Sequence, residues 1–233
     1  MALIDSGLIA GGIYLLYEVV DRLNIADGFI SFYRGKSSVN DYELIVGHCN
    51  DFAKKVITVD LKVFPSFSIT GISNCGKSKL VEYMLMNTKL PIVLINAYED
   101  DFKNVKCRRI VEIKAIEKYL DYLLNEKDNE HPVLVIFDEA LTLMSYKNIA
   151  KKIHTLLTKN RHKKIYVVAI FQELNKTIVP FKSLFTARLT MRAIQVSDIN
   201  SALGTTIEDY KPLKNREFIL LSDDIYWGKT YDV

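Results

Sequence analysis

The chain has 233 residues, 49% hydrophobic and 25% charged, with a net charge of +3. That composition excludes a disordered segment, leaves room for one large α/β domain or two small ones, and is too weakly basic to mark a nucleic-acid partner by itself. Three widely spaced cysteines (Cys49, Cys75 and Cys107) and four histidines without ligand spacing exclude a disulfide scaffold and a zinc site, and point to reduced thiols inside a cell.

Near the N-terminus, Gly7 to Tyr17 is an apolar run of 11 residues ended by Glu18. A membrane span needs about 20. Asp5 precedes the run and no basic region does, so neither a stable membrane insertion nor a secretory signal is expected. A helix over residues 8–23, buried or facing a partner, is expected instead. Residues 24–54 are broken at Gly28, Gly35 and Gly47, and no role can be assigned to them. Residues 1–54 therefore read as a separate N-terminal element ahead of a domain over 55–233. Val56 to Val63 alternates and predicts a strand feeding toward the next feature, and Ser66 to Thr70 predicts another.

Residues 71–78 read Gly-Ile-Ser-Asn-Cys-Gly-Lys-Ser, a complete match to the phosphate-binding loop G-x-x-x-x-G-K-[ST]. Gly71 and Gly76 permit backbone approaches that a Cβ would obstruct. The amides of Ile72, Ser73, Asn74 and Cys75 can then line an anion cradle at a helix N-terminus. Lys77 is expected to reach the β- and γ-phosphates of ATP, and the Ser78 hydroxyl to ligate Mg²⁺. Cys75, lying in the loop, is expected to be open to alkylation. Leu80, Val81, Met84 and Leu85 then fall at helical spacing over residues 77–87, which supplies the helix the motif requires.

Beyond it, Pro91 to Asn96 is a continuous apolar run, as in a strand buried on both faces. Arg109 to Ile113 predicts a short strand and Ala115 to Asn125 a helix. Val133-Leu-Val-Ile-Phe-Asp-Glu139 is the strongest strand signal, and it delivers two carboxylates at its C-terminal end, the Walker B pattern. Asp138 is assigned to Mg²⁺ and Glu139 to polarising the attacking water as general base. A helix over Tyr146 to Lys159 and a strand over Ile165 to Ile170 follow, the latter leading to Gln172, whose amide can sense the γ-phosphate or the water. Ala187 to Ile194, Glu217 to Leu221 and Tyr226 to Tyr231 predict later strands. The alternation implies an α/β fold with a mostly parallel central sheet flanked by helices, and together with the phosphate loop it resembles a RecA-like P-loop NTPase core.

The order of these parts resembles the FtsK–HerA superfamily of DNA-translocating ATPases. The segment Asn160-Arg-His-Lys-Lys-Ile-Tyr-Val-Val-Ala-Ile-Phe-Gln172 is similar to that family's approach to its glutamine strand. Ile178-Val-Pro180, Thr186-Ala-Arg-Leu-Thr-Met-Arg192, Ser197 to Leu203 and Arg216 to Leu221 are similar to its later loop, arginine strand, helix and closing strand. The likeness covers residues 56–231. It departs where motors of this family often carry Asp-Pro-Lys; here the chain reads Asn96-Ala-Tyr-Glu. The shortness of the chain fits the compact viral genome-packaging type. The resemblance implies ATP hydrolysis coupled to translocation of double-stranded DNA, a homo-oligomeric ring of five or six subunits, and an arginine finger in trans, with Arg161 the matching position and Arg188 the second candidate. It further implies a viral capsid portal as partner and a cytoplasmic or virion-associated location.

A basic cluster between Walker B and the glutamine strand (Lys147, Lys151, Lys152, Lys159, Arg161, Lys163 and Lys164) suits sequence-independent phosphate contact, and Lys211, Lys214 and Arg216 form a second group. The alternative reading is a membrane-associated P-loop ATPase for particle assembly or extrusion, anchored through residues 7–20; a third is a nucleotide-gated binding module.

Overall fold

The computed structural model describes residues 40–50, 54–98, 100–125, 131–175 and 177–231, so the predicted helix over 8–23 lies outside the described residues. In chain order the strands are β1 (Glu43–Cys49), β2 (Val56–Asp60), β3 (Ser66–Thr70), β4 (Ile92–Ile95), β5 (Arg108–Ile110), β6 (Val133–Phe137), β7 (Ile165–Phe171), β8 (Ala187–Thr190), β9 (Glu217–Leu221) and β10 (Ile225–Lys229). The helices are α1 (Lys77–Met86), α2 (Ile113–Asn125), α3 (Ala140–Met144), α4 (Lys147–Lys159) and α5 (Val196–Leu203).

All the strands join one mixed sheet in the order β2-β1-β10-β9-β8-β3-β7-β6-β4-β5. From β8 to β5 every neighbouring pair is parallel, and from β8 to β2 every pair is antiparallel. The sheet is thus an α/β core with a parallel majority and an antiparallel extension.

The parallel strands are apolar along their whole length because both faces are covered. In β7, Tyr166, Val168 and Ile170 face the same cluster as Leu80, Val81 and Met84 of α1. Ile165, Val167, Ala169 and Phe171 face the opposite cluster, with Ile116 and Leu120 of α2, Leu143 of α3, and Ile153 and Leu156 of α4. This period of two on a fully buried strand puts α1 on one face and α2, α3 and α4 on the other. A smaller cluster joins Ile199 and Leu203 of α5 to Ile207, Leu213 and Ile219.

Three features differ from the sequence-based expectation. The sheet takes in β1, ahead of residue 55, where no strand was predicted. Its pairing with β2 shifts between Ile45 and Gly47, and a Cβ at Gly47 would stand 2.2 Å from the Lys229 carbonyl oxygen and 2.8 Å from Phe218 Cε1. The glycine that reads as a chain break is the point of closest backbone approach inside a bulged strand. The expected strand over Val56 to Val63 ends at Asp60 and lies at the far antiparallel edge rather than beside the phosphate loop. The short helix α3, directly after Glu139, has no counterpart in the sequence reading.

Candidate nucleotide site

β3 ends at Thr70 in the middle of the sheet, flanked by β7 and β8, and α1 begins seven residues later. Between them the loop takes shape around its glycines. Gly76, at the helix N-cap, has φ 108°, and Asn74 has φ 60°, both in the left-handed region. A Cβ at Gly71 would meet Cys75 Sγ at 2.7 Å. α1 has no side-chain cap and no acidic residue in its first turn, so its leading N–H groups and dipole are left to the loop. Lys77 Nζ donates to the carbonyls of Gly71 at 2.6 Å and Ile72 at 2.9 Å, which places the ammonium inside the loop's curve. Ile72 is half-buried, Ser73, Asn74 and Ser78 are exposed, and Cys75 is 1% exposed. Burial pushes the Cys75 thiol up, overcoming the nearby Lys77 ammonium. The expectation that Cys75 is open to alkylation is therefore corrected: its sulfur packs under Gly71 in the core.

β6 delivers Asp138 and Glu139 at the same edge of the sheet. The Asp138 amide donates to Ile95 O at 2.9 Å, and its carbonyl accepts from the Asn96 side chain at 3.1 Å, so β4 and β6 end as one unit. Asp138 is 6% exposed, and its pKa is raised to about 6, first by burial, then by the neighbouring Asp101 and Glu139, with Lys77 opposing. A buried carboxylate in surplus negative potential fits a hard divalent cation. Among the described residues no group of three or more acidic, histidine or cysteine side chains is arranged to hold a metal. Ser78 and Asp138 are the candidate donors, and so small a set would suit Mg²⁺, an ion that keeps several waters and takes substrate phosphate oxygens.

Glu139 sits at φ 45°, ψ 49°, the left-handed region that costs a non-glycine residue of order 1 kcal/mol. The chain turns there from strand into α3, which aims the carboxylate off the end of β6. The Gln172 amide, at the end of β7, donates to both Glu139 oxygens at 3.2 Å. Two residues 33 positions apart are thus joined one strand from the phosphate loop. A cavity of about 390 Å³ opens beside Glu139, lined by Asn96, Tyr98, Arg109 and Thr142.

Sequence reasoning missed several supports of this edge. Arg109 donates to the carbonyls of Tyr98 and Phe102, both at 3.0 Å, and to that of Asp101, clamping the loop that brings Asp101 near Asp138. Glu82, buried on α1, accepts from Asn104 at 3.0 Å and so ties the same loop to the phosphate-loop helix. A buried acid on an otherwise apolar helix face is the one sequence signal that could have revealed this tie.

The two arginines proposed from the resemblance lie elsewhere. Arg161 is exposed in the turn between α4 and β7, at the edge opposite its own phosphate loop. Its amide donates to Asn160 Oδ1 at 2.8 Å, and the Asn160 side chain in turn donates to Pro65 O at 3.1 Å, so the turn is anchored to the start of β3. Arg188 Nε donates to Phe185 O at 3.0 Å and Nη1 to Leu203 O at 2.7 Å; its guanidinium closes the C-terminal end of α5 within its own chain, and burial lowers its pKa. In the basic cluster, Lys152 bridges Glu117 at 3.2 Å and Asp121 at 2.8 Å, holding α4 on α2. Lys147, Lys151, Lys159 and Lys164 are exposed. In the second basic group, the Arg216 amide donates to Cys75 O at 3.0 Å, and its guanidinium to Thr230 O at 3.0 Å, so it braces the phosphate loop. Among the described residues no helix is long and apolar enough to cross a membrane.

No protein-family model matches the sequence, and no curated protein does. Solved structures do match. The pCW3 conjugation coupling protein TcpA, in monomer form with ATPγS, is 17% identical with a TM-score of 0.66, over 83% of this chain and 66% of that one. The cytoplasmic domain of the Thermomonospora curvata type VII secretion ATPase EccC is 13% identical with a TM-score of 0.67, over 85% of this chain and 29% of that one. The genome-packaging NTPase B204 from Sulfolobus turreted icosahedral virus 2, with ATPγS, is 17% identical with a TM-score of 0.56, over 71% of this chain and 98% of that one. The chain thus spans just under two thirds of the coupling protein and less than a third of the secretion ATPase. At these identities the likeness is one of fold, and the fold is that of P-loop NTPases.

Proposed function

We propose that this chain is an ATP-hydrolysing motor of the FtsK–HerA type that moves double-stranded DNA as a homo-oligomeric ring, of the compact kind that packages viral genomes. The observation that carries the reading is the bridge from Gln172 to both oxygens of Glu139, at the edge where the phosphate loop and Asp138 also emerge. A base for water needs a fixed carboxylate, and a switch needs a partner that can let it go. The Gln172 amide is suited to both, since it can leave the carboxylate for a γ-phosphate oxygen.

In this mechanism the amides of residues 72–76 and the N-terminus of α1 hold the triphosphate, and Lys77 leaves the Gly71 and Ile72 carbonyls for the β- and γ-phosphates. Ser78 and Asp138 would hold Mg²⁺, and the ion would supply charge neutralisation on those phosphates. Glu139 accepts a proton from the attacking water as its oxygen bonds to the γ-phosphorus and the bond to the β-phosphate oxygen breaks; ADP and phosphate leave. The exposed Arg161, on an anchored turn away from its own loop, is free to serve a neighbouring subunit. The exposed lysines of α4 and the following turn supply sequence-independent contact with DNA phosphates. The match extends over 98% of B204, a genome-packaging NTPase, which supports the packaging role.

The test is ATP turnover measured with and without duplex DNA across a salt series. Turnover is expected to rise with DNA and the stimulation to fall steeply with salt; DNA-independent turnover at every salt concentration overturns the translocase reading. Mixing Arg161→Ala subunits with wild type is expected to lower turnover more than in proportion to the mixture, and a linear response removes the finger in trans.

A further inference from the structure

The groups that act on the terminal phosphate, Asp138, Glu139 and Gln172, all lie on the β7–β6 flank of the phosphate loop. A triphosphate held with its γ end toward that flank must send its nucleoside out over the opposite one, beyond β8. Two segments arrive there, and both are fixed to the loop by backbone hydrogen bonds. After β8, Met191 N donates to Thr70 O at 2.8 Å and Ile72 N donates to Arg192 O at 3.0 Å; ahead of β9, Arg216 N donates to Cys75 O at 3.0 Å. Side chains on these segments therefore keep a set position relative to the loop.

The surface they present has a chemistry of its own. The Arg192 guanidinium is exposed, with Nη1 donating to Asn215 Oδ1 at 3.2 Å. Two residues on, Ile194 is 83% exposed, more than any other large apolar side chain among the described residues. A planar cation bonded to an amide oxygen, with an exposed apolar side chain two residues along the same segment, suits the flat face of a nucleobase, which gains from cation–π contact with the one and apolar burial against the other. Because Arg192 occupies the Asn215 oxygen, the Asn215 NH₂ remains to donate to an acceptor on the base edge. The larger ring system gains more from such a platform.

We propose that Arg192, Ile194 and Asn215 form the base-binding platform of the site and select purine over pyrimidine nucleoside triphosphates. The proposal rests on the nucleotide reading above and extends it to the other end of the ligand.

The experiment compares calorimetric binding of ATP, CTP and inorganic tripolyphosphate, each with Mg²⁺, to the full chain and to Arg192→Ala, Ile194→Asp and Asn215→Ala. All three side chains are exposed, and unchanged thermal unfolding confirms folded variants. Wild type is expected to bind ATP about tenfold more tightly than CTP, on the scale of one stacking contact. Arg192→Ala and Ile194→Asp are each expected to weaken ATP by about five- to tenfold and to leave tripolyphosphate unchanged. Equal ATP affinity in wild type and both variants overturns the platform. So does a parallel loss of ATP and tripolyphosphate, because the residues would then act through the phosphate loop. Wild type that binds tripolyphosphate but prefers no base sinks the platform alone; wild type that binds neither ligand sinks the nucleotide reading with it.

Discussion

In the β8-β3-β7-β6-β4-β5 half of the sheet every strand runs the same way, so the chain leaves each one at a single edge. In the β9-β10-β1-β2 half neighbouring strands alternate in direction and no edge collects their ends. Both halves are made of apolar strands, yet only the first gathers Gly71, Asp138, Glu139 and Gln172 in one place. The backbone records the difference. Asn74, Asn96 and Glu139 all take positive φ just past the ends of parallel strands, where the chain turns to present a side chain or an amide. The antiparallel half is packed for closeness instead. Cβ atoms at Gly47 and Gly228 would both strike Phe218, and the chain beyond β10 stacks Tyr231 on Tyr83 of α1 with ring centroids 4.9 Å apart. One half holds the candidate nucleotide site, and the other braces its helix and loop.

The comparison can be broken most directly at Glu139. Glu139→Gln keeps the shape and removes the proposed base, and steady-state phosphate release is expected to fall by about 10²- to 10⁴-fold with thermal unfolding unchanged. Lys77→Ala is expected to match it, since the ammonium has no substitute at the phosphates. In the antiparallel half the signature reverses. Gly47→Val drives a side chain into the Lys229 carbonyl, and urea unfolding is expected to show a loss of about 3 kcal/mol, with turnover per folded molecule near wild type. Should Gly47→Val abolish turnover while the protein is still folded, the halves are not separable. A finer test is Gln172→Ala: losing hydrogen bonds to a charged partner is worth about 1.5–3 kcal/mol, so turnover is expected to drop about ten- to a hundredfold. Smallest is Lys152→Ala. Its partners are partly exposed, so chemical denaturation is expected to register about 1 kcal/mol or less, and DNA-stimulated turnover is expected to hold, because Lys152 is engaged between α2 and α4.

Much of the parallel half was legible in the sequence because its signals are local. β3, β6 and β7 fall where the apolar runs predict them, and the phosphate loop sits between a strand and a helix as its spacing demands. The antiparallel half was less legible. Gly47 read as a break because glycine usually is one, and only its neighbour Phe218, some 170 residues later, explains why a strand tolerates it. The arginines show the same limit. Arg188 and Arg161 are alike as letters, but the first spends its guanidinium on the end of α5 and the second faces solvent on an anchored turn.

By itself the sequence determined the anion cradle, the carboxylate-tipped strand and the two-sided burial of the parallel core, because dihedral freedom, side-chain period and motif spacing are all written within a dozen residues. Only the tertiary structure decided that β3 lies between β7 and β8, that Gln172 meets Glu139, and that Cys75 is sealed inside. Those outcomes depend on which distant strands pair and on what the crossovers bury, a competition among non-local contacts that no short window of residues contains.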